Sequence, residues 1–150
     1  MEKSCFLIGH RESNEDLLPT LEASIAHLIL NENVRYFYVG GYGGFDRIAT
    51  IALRKAKSTH PEITLMRLLA YHPAERNPEL PLSFDGTYFP DGLEKVPKQF
   101  RIPRANKHMI DASDWLICNV RHNAGNSSRL FEYAKKLEQK GAIRIINLNY

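Results

Sequence analysis

Cysteine is scarce: Cys5 and Cys118 are the only two in 150 residues. Neither falls in a CxxC pair or beside histidine at a metal-ligand spacing, so neither a disulfide scaffold nor a cysteine-based zinc site is expected. Both lie in apolar, strand-like runs and read as buried, inert thiols. Long apolar runs are also missing; none approaches the roughly 18 residues of a membrane span. The first apolar run, Cys5-Phe6-Leu7-Ile8, is too short for the core of a secretory signal, and the expected location is cytoplasmic. There is no run of Lys or Arg and no acidic tail. The net charge of +3 and pI of about 8.9 are compatible with a phosphate-bearing ligand but do not by themselves argue for nucleic acid. With 43% hydrophobic and 25% charged residues, intrinsic disorder and a collagen-like chain are excluded. A chain of this length buries a full core as a single domain. No internal repeat or second domain is visible.

What is present is an alternation of strand-like and helix-like segments. Ser4-Cys5-Phe6-Leu7-Ile8 reads as a strand buried on both faces. Ser13-Asn14-Glu15-Asp16 offers a capping box with Asp in place of Glu. Leu17, Leu18, Leu21, Ile25, Leu28 and Ile29 then form one helix face. Val34 to Val39 is β-branched and aromatic, a second strand. A helix runs from Phe45 to Lys57, and Ile63 to Leu69 is a third strand. Six of the eight prolines fall between residues 73 and 103, which marks a long loop. Its Phe84, Tyr88, Phe89 and Phe100 argue for packing rather than free disorder. Pro103 suits the first turn of a helix to about Ala112. Trp115 to Cys118 is a fourth strand, and a last helix capped by Ser127 or Ser128 runs through Lys140 to Gly141 at its C-terminal cap. Ile143 to Leu148 is the fifth. This order predicts a Rossmann-like three-layer αβα sandwich with a parallel five-stranded sheet, order 3-2-1-4-5. Ligands of such sheets bind outside the carboxyl ends of the strands, at the switch in strand order.

The loops at that edge carry the candidate residues. Gly9, His10 and Arg11 follow the first strand directly; Arg11 suits a phosphate or carboxylate, and His10 can donate to phosphate or shuttle a proton. Gly40, Gly41, Tyr42, Gly43 and Gly44 join the second strand to its helix. Four glycines in five positions exceed what a plain turn requires. A helix start there presents unpaired N–H groups to an anion. Asp46 either caps that helix or, facing a sugar, holds hydroxyls or acts as a base. Asn119, Gly125, Asn126, Ser127 and Ser128 form the second anion-site candidate, with backbone N–H groups and two hydroxyls before a helix. Arg104, Lys107 and His108 share a helical face, for which a solvated basic surface is the commoner explanation. His27, His60 and His72 have no partners at metal-ligand spacing. The reading involves no metal and no cofactor.

The ordered set Ile8-Gly9-His10-Arg11, then Val39-Gly40-Gly41-Tyr42-Gly43-Gly44-Phe45-Asp46, then Arg104 through Ile117 resembles the SLOG superfamily. That group joins the DprA/Smf proteins with the LOG-type phosphoribohydrolases, and the likeness spans nearly the whole chain. The resemblance implies a nucleotide-type ligand. LOG enzymes cleave the N-glycosidic bond of a nucleoside 5′-monophosphate, using an arginine in an R-K-x-x-M helix and a glutamate in P-G-G-x-G-T-x-x-E. Arg104 matches the arginine, with Met109 one residue late. Asn123 to Ser128 stands where the glycine-rich turn would be, and Glu132 falls one residue beyond the glutamate. A one-residue offset on a helix is a rotation of about 100°.

The expectation is therefore a domain binding a nucleotide, nucleotide-derived metabolite or phosphorylated sugar. Arg11 and Arg104 neutralise its charge, Gly125 to Ser128 hold phosphate, Asp46 holds a ribose hydroxyl, and the aromatics of residues 73–103 cover the base. The enzymatic alternative is nucleotide N-glycosidic hydrolysis, with Asp46, Arg104 and Glu132 as catalytic candidates. A third alternative is single-stranded nucleic-acid binding, against which the modest charge speaks. The family likeness also makes a homodimer a candidate assembly.

Overall fold

Continuous apolar runs of five or so residues form strands that are covered on both sides, and this sequence has several. The computed structural model describes residues 1–121 and 125–149, with side chains from residue 128 onward in the second segment. Its elements are β1 (Lys3–Gly9), α1 (Leu18–Asn31), β2 (Val34–Val39), α2 (Gly44–Thr59), β3 (Thr64–Leu68), β4 (Gly86–Tyr88), α3 (Arg101–Ala112), β5 (Trp115–Asn119), α4 (Gly125–Gln139) and β6 (Arg144–Asn147). The strands form one parallel sheet in the order β4-β3-β2-β1-β5-β6. β1 lies at the switch point: chain order runs outward through β2 on one side and through β5 on the other.

The expected five-strand order is contained in this sheet, but the strand count is corrected to six. The extra edge strand, β4, sits inside the proline-rich stretch read as a loop. Three residues are too few for periodicity to register, and Asp85-Gly86 and Pro90 read as turn signals around them. The strand pairs with β3 from Met66↔Gly86 to Leu68↔Tyr88. Asp85 fixes its start, accepting from the Leu65 amide (2.8 Å) and facing Lys57 Nζ at 3.2 Å.

Side chains alternate along β1. Cys5 and Leu7 enter one core with Leu21, Ile25, Ile48 and Leu53 of α1 and α2. Phe6 and Ile8 enter the other with Ala105, Met109 and Ala134 of α3 and α4. Both cysteines are buried and free, as expected, and burial pushes both thiols well up. Among the described residues, no helix is long and apolar enough to cross a membrane.

Two expected helix starts are corrected. Asn14, not Ser13, caps the turn before α1 by accepting from the Asp16 amide at 2.9 Å, while Ser13 donates to the His10 carbonyl. α4 begins at Gly125, so Ser127 and Ser128 lie in its first turn rather than at its cap. Its C-terminus follows the expectation: Gly141 has φ of 76°, and the Ala142 amide donates to Leu137 at 2.9 Å.

Candidate functional site

The β1 corner decides what the glycine-rich segment can do. After Gly9 the chain folds over the start of α2, and its carbonyls point at that helix. The Gly44 amide donates to the Arg11 carbonyl at 2.8 Å, and the Phe45 amide to the His10 carbonyl at 3.3 Å. A Cβ on Gly44 would stand 2.2 Å from the Arg11 oxygen, and one on Gly9 would stand 2.5 Å from the Phe45 ring. Glycine is needed at both positions for close packing of the chain on itself. The expected open helix N-terminus is thus corrected: neighbouring backbone already takes its first two amides.

Asp46 closes the same turn, accepting from the Tyr42 amide at 3.0 Å. Burial raises its carboxyl to a pKa of about 6, against the Tyr42 hydrogen bond and the Arg67 charge, both of which pull it down. Asp46 lines a cleft of about 240 Å³ over the ends of β1 and β2. Gly9, Arg11, Gly40, Tyr42 and Gly43 form the same side of it. Ile102, Pro103 and Asn106 of α3, with Leu130 of α4, form the opposite wall. Arg11 is exposed at this cleft, and among the described residues it has no carboxylate partner. Glu15, the neighbour it could have bridged, faces Arg47 instead, at 3.4 Å.

The other candidates are placed elsewhere. His10 Nε2 accepts from the Arg121 amide at 2.7 Å. Burial and the Arg121 charge lower its pKa, so the ring is neutral near pH 7 and ties the β1 corner to the β5 corner. Asn119, 8% exposed, donates through Nδ2 to Ser13 Oγ at 3.0 Å and accepts the His10 amide. Neither residue lines the rim cleft. Arg104 is exposed on α3 and does not line the rim cleft, whereas Asn106 does. Glu132 and Ser128 line a separate groove of about 740 Å³ along β6, bounded by Phe131 and Ile145. Asp46, Arg104 and Glu132 therefore do not line one common cleft among these. Residues 122–124 and the side chains of Asn126 and Ser127 lie outside the described residues, so the expected phosphate loop from Gly125 to Ser128 falls partly there.

The aromatics expected to cover a base are committed elsewhere. Phe84 is buried, and Tyr88 hydrogen-bonds His108 at 2.8 Å. Phe89 packs edge-on to His72, and Phe100 is exposed and does not line the rim cleft. What holds the 73–103 segment is Arg101, 5% exposed, which meets Glu75 at 2.7 Å and donates to the Val96 and Glu94 carbonyls.

Reasoning from the sequence missed a second cleft beside the first. It holds Arg67, Tyr71 and Arg76, and shares Tyr42 with the rim cleft; Gly41 lines it too. Arg67 was legible in one respect, being a charge inside an otherwise apolar strand.

Together these features define an α/β domain of general Rossmann-like topology with paired clefts at the C-terminal edge of its parallel sheet. Compared with models of known protein families and with curated proteins, the chain matches none.

Proposed function

We propose that the chain binds a nucleotide or nucleotide-derived metabolite in the rim cleft, as a member of the SLOG superfamily. The observation that carries this reading is the cleft's position. It opens at the switch point of the sheet and gathers Arg11, Gly40, Tyr42, Gly43 and Asp46. In this reading Arg11 meets the phosphate as a bidentate donor. The ionised Asp46 carboxylate accepts from a ribose hydroxyl, and Asn106 supplies an amide on the opposite wall. Ile102, Pro103 and Leu130 provide apolar surface for a base. The Gly44 and Phe45 amides play no part, being occupied.

The test is a thermal-shift and calorimetric screen of nucleoside phosphates, ADP-ribose and NAD. A ligand at 100 times its Kd adds about 2.7 kcal/mol of stability. Arg11→Ala abolishes that gain while leaving the unliganded melting temperature unchanged. Absence of any shift across the panel would falsify the reading.

Asp46 favours a second reading. A carboxyl with a pKa of about 6 in a cleft can exchange a proton near neutral pH. N-glycosidic hydrolysis then predicts base release from a nucleoside monophosphate, lost in Asp46→Asn with binding retained. Binding without release across the panel leaves the first reading alone.

A further inference from the structure

The second cleft, of about 270 Å³, opens over the C-terminal ends of β2 and β3 beside the rim cleft. Arg67 rises into it from β3. Its Nη1 donates to the Gly40 carbonyl, and its Cζ lies 5.5 Å from the Phe84 ring centroid. A Cβ on Gly41 would stand 2.9 Å from Nη1, so this glycine makes room for the guanidinium. Arg76 approaches from the other side, its Cζ 3.9 Å from the Tyr71 ring centroid. That stack leaves the guanidinium edge, with its N–H fork, available to a ligand.

Among the described residues, no carboxylate lies within ion-pair distance of either arginine. Arg67 is partly buried, and burial lowers its pKa while the charges of Asp46 and Glu79 act to raise it. A half-desolvated cation without an ion partner is unfavourable, and an anion entering the cleft relieves it. Glu79 lines the same cleft and is exposed, while Asp46 acts on Arg67 from the rim cleft, so the groups lining this cleft are two guanidiniums and one carboxylate. The balance favours a group with several acceptor oxygens, which two forked donors can share.

We propose that this cleft is a second phosphate subsite, and that the ligand is a nucleotide with two separated phosphates, one held at the rim cleft and one between Arg67 and Arg76. The proposal rests on the nucleotide reading above. Each cleft alone falls below the about 300 Å³ at the small end of ligand sites, whereas a ligand crossing Tyr42 would occupy both. The outer phosphate belongs either to a ribose hydroxyl or to the end of a diphosphate chain.

Titration calorimetry with a nucleoside 5′-monophosphate, the 5′-diphosphate and the 3′,5′-bisphosphate separates these cases. The second phosphate is expected to add about tenfold in affinity in one of the two doubly phosphorylated ligands. Arg76→Ala, at an exposed position, removes that gain and leaves the monophosphate Kd unchanged. Arg67→Gln, with melting curves confirming that it folds, also removes the ratio between the doubly and singly phosphorylated ligands, although its loss of the Gly40 contact and of its charge beside Asp46 shifts the monophosphate Kd too. Glu79→Gln strengthens the doubly phosphorylated ligand. If the monophosphate binds as tightly as both others, or Arg76→Ala weakens all three equally, the second subsite is overturned while the nucleotide reading stands. If no nucleotide binds the unaltered protein, both fall together.

Discussion

Asp46 and Glu132 are both carboxylates on helices that follow parallel strands, and both line clefts at the same end of the sheet. Their surroundings are opposite. Asp46 sits against the Gly40–Tyr42 turn, holds the Tyr42 amide and has its pKa raised by burial to about 6. Glu132 is exposed along β6, in a wider groove. The difference lies in what folds over each helix. The chain after β1 lies across the start of α2 and gives up two carbonyls to it, and the Gly40–Tyr42 turn packs directly on the Asp46 carboxyl. A titratable group is thus prepared for chemistry by the backbone packed around it as much as by its own strand or helix.

That comparison can be broken most strongly at Gly44. Gly44→Ala brings a methyl against the Arg11 carbonyl and should cost about 3 kcal/mol in urea unfolding. An unchanged midpoint would mean that the β1 corner does not lie over α2. Next in size is Arg101→Met, which leaves the Val96 and Glu94 carbonyls without their donor. A loss of about 2 to 3 kcal/mol is expected, together with faster proteolysis between residues 73 and 103.

Asp46→Asn sharpens the contrast through pH. The folded carboxyl titrates at about 6, above its ordinary 3.8, so the folded state binds the proton more tightly than the unfolded chain. The associated stability is complete below pH 3.8 and is lost as pH rises through about 6. Asp46→Asn should flatten that slope and leave the variant more stable at pH 8, by roughly 2 kcal/mol; parallel pH profiles from chemical unfolding would show it. Glu132→Gln is the smallest change. It should alter stability by less than about 0.5 kcal/mol and leave nucleotide affinity unchanged. A large loss of nucleotide binding in that variant would move the site to the β6 groove.

Much of the fold could be read before the structure. Leu21, Ile25, Leu28 and Ile29 repeat at helical spacing and are buried together on α1. Phe6, Leu7 and Ile8 read as a doubly covered strand and are buried on alternate faces. β4 was hidden because its three residues have no pattern of their own and exist through pairing with β3. The rim cleft was legible in outline: Arg11, Gly40, Tyr42, Gly43 and Asp46 do meet there. The roles of His10 and Asn119 were not legible, since each is set by a partner in a loop more than 100 positions away in the chain.

Hydrophobic periodicity and glycine placement are local properties, so the sequence by itself determined a parallel α/β sheet with small-residue corners at one edge. Which corner amides stay open, which carboxylate is buried and which arginine lacks an ion pair depend on distances between segments remote in sequence. Only the tertiary structure decided those, because hydrogen bonds and desolvation act over a few ångströms in space, whatever the separation along the chain.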